Sequence, residues 1–93
     1  MEPQNENTVF VGNKPVMNYV LACLTMLQNG TNEVNLKARG RAISRAVDAA
    51  EILTRRFVPD ISVKKIEIGT EQVRSTQSGE MSKVSSMEIH LSK

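Results

Sequence analysis

Between Glu33 and Phe57 the apolar repeat changes from every second residue to every third or fourth, with one glycine at the change. Val34, Leu36 and Ala38 alternate with Glu33, Asn35 and Lys37, the pattern of a strand that buries one face. Ile43, Ala46, Val47, Ala50, Leu53 and Phe57 then fall on one helical stripe, which Pro59-Asp60 ends. A strand feeding straight into an amphipathic helix buries both apolar faces when the helix folds back over a sheet.

The rest of the chain extends that unit on both sides. Thr8 to Val11 is β-branched and aromatic and reads as a short strand. Pro15 suits the first position of a helix, which runs to about Gln28 before the Asn29-Gly30 stop. Ser62 to Arg74 and Met81 to Leu91 form a hairpin around Gln77-Ser78-Gly79, with Ile66 and Ile68 alternating on one strand and Met87, Ile89 and Leu91 on the other. Between Thr70 and Ser86 only Val73, Met81 and Val84 are apolar, so the tip either projects as a two-stranded arm or is a loose surface loop. The expectation is an α+β fold: a single β-α-β-α-β-β domain over residues 8–93, with a mixed four-stranded sheet and two helices on one face. Residues 1–7 read as a flexible tail.

Composition excludes several function classes. In 93 residues there is room for one modest core. The longest uncharged apolar run, Val16 to Leu27, includes Asn18 and Thr25 and is too short to cross a bilayer. One cysteine permits no internal disulfide, which suits a cytoplasmic protein, and Cys23 reads as core. The one histidine, His90, stands on the opposite parity from Met87, Ile89 and Leu91 and should face solvent or a neighbouring element; a lone histidine without a cysteine or carboxylate cluster is not a metal site, so none is expected. Glu67, Glu71, Glu80 and Glu88 read as solvated surface. No phosphate-binding, dinucleotide-binding or nucleophile-elbow motif is present, and the chain is not expected to be an enzyme or to hold a cofactor.

Binding is better supplied. The formal net charge is only +2, yet Lys37, Arg39, Arg41, Arg45, Arg55 and Arg56 cluster between residues 37 and 56 against Asp48 and Glu51 alone. Such a concentration suits an anionic partner, although a solvated helix face gives the same pattern. Lys14 precedes the first helix, and Arg39, Gly40 and Arg41 precede the second, so cations sit where helix N-termini already attract phosphate. Gly40 would let a nucleic-acid backbone approach closely. A two-stranded ribbon fits a groove and could carry Arg74 and Lys83 into it. The three aromatic residues, Phe10, Tyr19 and Phe57, all occupy core-like or interface-like positions, which favours backbone recognition of a duplex over base stacking.

The segments GNKPVMNYVLACLTMLQNG, KARGRAISRAVDAAEILTRRFVPD and IEIGTEQVRSTQSGEMSKVSSMEI closely resemble the Alba family of archaeal chromatin proteins, over about residues 8 to 92. The resemblance implies a fold similar to the C-terminal domain of a bacterial translation initiation factor. It also implies a homodimer that binds double-stranded DNA, and commonly RNA, without a cofactor, and that is associated with the chromosome. By position, Asn13, Lys14, Arg39 and Arg41 would form the body site, with Gly40 and Arg45 beside them, and Arg74 and Lys83 the arms. Arg56 and Phe57 match a site of contact between neighbouring dimers on DNA. Two positions depart from the family: Asn13 stands where many members carry the acetylated lysine, and Glu80 stands near a tip arginine. Weaker or more selective binding is the expected consequence. RNA binding, on structured RNA or in a ribonucleoprotein particle, is the alternative function, and a basic patch for an acidic protein the contrasting one.

Overall fold

The structure is a computed structural model that describes residues 7–93; residues 1–6 of the expected tail lie outside the described residues. Asn7 already belongs to the sheet edge, its carbonyl accepting a hydrogen bond from the Asn35 N–H at 2.8 Å. The element order is β1 (Thr8–Val11), α1 (Val16–Gln28), β2 (Glu33–Arg39), a 3-10 turn (Gly40–Ala42), α2 (Ile43–Ile52), a π-helical turn (Leu53–Phe57), β3 (Ser62–Arg74) and β4 (Met81–Ser92). The β-α-β-α-β-β order is therefore as the periodicity predicts.

The four strands lie in the order β1-β2-β4-β3. β1 and β2 pair in parallel, whereas β4 runs antiparallel to both of its neighbours. Alternation decides which residues are buried. Val9, Val11, Val34, Leu36, Ala38, Ile89 and Leu91 face the helices and are buried with Tyr19, Val20, Cys23, Ala46, Ala50 and Leu53. Burial pushes the Cys23 thiol up to about 12, which fits a core residue rather than a reactive one.

Local details refine the expected boundaries. Pro15 is extended, with φ −57° and ψ 148°, and precedes the helix instead of opening it. At the other end of α1, Gly30 takes φ 104°, and the Thr31 N–H reaches back to the Met26 carbonyl, so the Asn29-Gly30 stop forms as expected. The α2 stripe is narrower than the sequence suggests. Ala46, Ala50 and Leu53 are buried, as is Ala49, but Val47 and Phe57 are exposed. The backbone explains Phe57: Val58 N–H donates to the Leu53 carbonyl at 2.8 Å, widening the last turn and carrying Arg55, Arg56 and Phe57 outward.

The larger correction concerns β3. Ile66 pairs with Ile89 and Ile68 with Met87 on the helix side of the sheet, yet Ile66 is 54% and Ile68 79% exposed. The helices pack over β1, β2 and β4 and leave β3 uncovered. Leu36, fully buried at the centre, should show the contrast. Leu36→Ala should lower unfolding stability by about 2–5 kcal/mol in urea melts followed by circular dichroism.

Candidate nucleic-acid interface

Parallel pairing of β1 and β2 sets the geometry of the site. Val11 lies opposite Ala38, so the strands finish together and both strand-to-helix loops leave from the same end of the sheet. Asn13 and Lys14 are exposed on the first loop, and Arg39, Gly40 and Arg41 on the second. Arg45, in the first turn of α2, bridges them by donating from Nη1 to the Gly12 carbonyl at 3.4 Å.

Each loop has a device that fixes its path. In the first, the buried Tyr19 reaches back from α1, and its hydroxyl oxygen accepts the N–H groups of both Gly12 and Lys14 at 2.9 Å. The sequence marks Tyr19 only as a core-like or interface-like aromatic. Its position in the first turn of a helix that follows a basic loop was the available signal. In the second loop, Gly40 takes φ 55°, a left-handed conformation that disfavours any side chain. No atom would crowd a Cβ there, so the glycine serves the turn and leaves open space in front of it.

The hairpin joins the same end. Arg39 pairs with Ser86, and beyond that rung β3 and β4 continue alone from Thr70↔Ser85 to Arg74↔Met81. Those rungs extend the ribbon about 15 Å past the body at a strand rise near 3.4 Å per residue. The segment is thus a paired arm and not a loose loop. Gln72 lies opposite Lys83, which places Lys83 and Arg74 on one face of the ribbon. Arg74 also donates to the Gly79 carbonyl at 3.1 Å, so part of its hydrogen-bonding capacity closes the tip. Ser75 and Glu80 close the turn through a backbone bond of 2.8 Å.

Arg39 is not wholly free. Its Nη1 stands 3.5 Å from Glu71 Oε1, an exposed pair that contributes little and leaves the guanidinium available. Arg56 and Phe57 lie apart from the basic end, exposed after α2. Phe10, read as core-like or interface-like, is 59% exposed on the open face of the sheet beside Lys37. With Lys37, Arg39 and Glu71 it lines a cavity of about 290 Å³.

The open face also carries Glu67, Glu88 and His90. The hydrogen bond from His90, then the Lys65 ammonium, hold the Glu67 carboxyl below its usual value. Among the described residues, no helix is long and apolar enough to cross a membrane.

A two-layer α+β domain with a basic end and a projecting ribbon defines a small class of proteins, and comparison identifies which. The Alba family model matches residues 7–70, and the chain belongs to that family. It is 62% identical over 88 residues to DNA/RNA-binding protein Alba 1 of Archaeoglobus fulgidus, covering 95% of this chain and 97% of the relative. Identity to DNA/RNA-binding protein Alba of Methanocella arvoryzae is 56% over 86 residues, 92% of this chain and 88% of the relative. The solved structure of Alba from Thermoplasma volcanium superposes with a TM-score of 0.87 at 48% identity, covering 94% of this chain and all of that one. For ALBA1 from Trypanosoma brucei the TM-score is 0.74 at 31% identity, over 94% and 68% of the two chains. None of these names carries an enzymatic activity.

Tyr19→Phe tests the loop device. Two N–H groups lose their acceptor, so stability should fall by about 1–2 kcal/mol. Amide exchange at Gly12 and Lys14 should quicken selectively in NMR spectra, while amides of β4 keep their protection.

Proposed function

We propose that this protein is a dimeric chromatin component that binds double-stranded DNA through backbone phosphates, with little sequence preference. The observation that carries this reading is the convergence of two helix-start loops and one ribbon on a single end of the sheet. Lys14, Arg39 and Arg41 would meet phosphates of the central duplex, with Arg45 holding the loops together and Gly40 leaving room for the backbone. The arm would carry Arg74 and Lys83 into a flanking groove. The names of the Archaeoglobus and Methanocella relatives, which state DNA and RNA binding, support a nucleic acid as the partner. A chromosome-associated, cytoplasmic location follows from that reading.

The dimer rests on the uncovered strand. Val63, Ile66 and Ile68 form an apolar row on the helix side of β3, and Val47 is exposed on α2. A second copy covering this row would remove it from water and turn two basic ends toward one duplex. Arg56 and Phe57 lie elsewhere, free for contacts between neighbouring dimers on DNA.

One observation favours RNA as a second reading. Phe10 offers an exposed ring beside Lys37 and Arg39, where an unpaired base could stack.

If each dimer neutralises about six phosphates, the slope of log affinity against log salt should be near −5. Arg39→Ala and Arg41→Ala should weaken binding equally for unrelated duplexes, and a slope near zero would overturn backbone binding. Repeating the titration with single-stranded RNA and with Phe10→Ala decides the second reading, which requires a loss for RNA alone. Ile68→Asp should convert the dimer to a folded monomer in sedimentation; an unchanged dimer would place the interface elsewhere.

A further inference from the structure

We propose that Glu67, Glu88 and His90 form a binding site for a divalent transition-metal ion of the zinc type on the open face of the sheet. The three residues come from two strands about 20 positions apart in sequence and meet only because β3 and β4 pair Glu67 with Glu88. His90 Nε2 lies 2.9 Å from Glu67 Oε1 and 3.7 Å from Glu88 Oε2. All three donor atoms lie within 4.8 Å of one another. A tetrahedral zinc with bonds of about 2.0–2.1 Å requires donors about 3.3 Å apart, so these separations straddle the required value. Small side-chain rotations bring the three atoms onto one ion, and the fourth position faces solvent.

The surroundings of the cluster define what an ion would meet. Lys65 Nζ stands 3.4 Å from Glu67 Oε2, an ion pair through the far carboxylate oxygen that a bound cation would have to loosen, while Oε1 stays turned to the histidine. A β-bulge between Val63 and Lys65 shifts the register there and sets Lys65 opposite His90. Asn35 lies opposite His90 on the other flank, and its Oδ1 is the buried side-chain acceptor without a partner among the described residues. A metal-bound histidine characteristically donates its second ring N–H to a carbonyl. With Nε2 turned to the carboxylates, Nδ1–H is the remaining donor, and Asn35 Oδ1 on the paired strand is the acceptor it would take up when the ion binds. In this proposal Asn35 is a positioning residue.

The donor set defines the ion. One imidazole and two carboxylates suit zinc, cobalt or nickel, whereas magnesium and calcium prefer all-oxygen sites. The site lies on the sheet face away from the helices, beside Lys37 but away from the loops that carry Lys14 and Arg41, so it goes beyond the duplex-DNA reading and stands or falls independently of it.

The chain's one histidine makes the test site-specific. Zinc chloride titrated into the full chain should shift the His90 ring resonances and saturate at one ion per chain, and magnesium should not shift them. Cobalt should give a visible absorption band of four-coordinate character. Glu67→Gln, Glu88→Gln and Asn35→Ala should each weaken zinc binding by about tenfold or more, with far-UV circular dichroism unchanged. Duplex DNA affinity measured in chelator should be the same for Glu67→Gln as for the wild type. Ring resonances that do not move with zinc would overturn the proposal, as would zinc affinity that survives Glu67→Gln and Glu88→Gln undiminished.

Discussion

The parallel pairing of β1 with β2 is the constraint on which the rest of the molecule depends. A parallel pair needs a crossover, and α1 supplies it across one face of the sheet. Because both strands run the same way, both loops that follow them open at the same end. An antiparallel arrangement would have sent Lys14 and Arg39 to opposite ends of the domain. β4 then turns the other way, so the hairpin it shares with β3 passes Arg39 at Ser86 and extends beyond the loops. Loops and ribbon thus converge through strand direction alone, before any side chain is considered.

The same topology leaves an apolar edge unresolved within one chain. Two short helices cannot cover four strands, and they cover β1, β2 and β4. β3 keeps Ile66 and Ile68 on its helix side because that side is designed for burial. A monomer carrying this row of side chains in water would be an aggregation risk, since β3 is also an edge strand. In the dimer proposed above, a second copy over the row would solve that problem and double the basic end at once. On that proposal binding and assembly would be two consequences of one incomplete layer.

Much of this was legible in the residues. Alternation in Val34, Leu36 and Ala38, the helical stripe through Ala46, Ala50 and Leu53, and Asn29-Gly30 define elements whose signals are local. Placement of Lys14, Arg39 and Arg41 at one end also follows, once the strands are taken as parallel. What was not legible depends on contacts across the chain. Ile66 and Ile68 have the periodicity of buried residues, and no local signal says that neither helix reaches them. Phe10 is hydrophobic and lies in a strand, but its parity sends it to the open face with Lys37. Along the chain His90 has only Glu88 nearby, and it is the ladder that brings Glu67 beside them both. Phe57 lies outward because i to i+5 hydrogen bonding replaces the α-helical pattern over Leu53–Phe57, a change that no residue type announces.

Tyr19 changes how the first loop can hold an anion. A helix start ordinarily offers free N–H groups, and that was the physical reason for expecting phosphate there. Here the Gly12 and Lys14 N–H groups are already donated to the tyrosine hydroxyl, and Pro15 has none to give. The loop is rigid at the cost of its own backbone donors. What remains for an anion at this point is the start of α1 itself, from Val16 onward, and the Lys14 side chain, the only side-chain cation on the loop. Gly40 works the other way. Its turn is fixed by backbone conformation, so the rigidity of the second loop consumes no donor from Arg39 or Arg41. The balance of binding should therefore lie with the second loop, which is where the sequence concentrates its arginines.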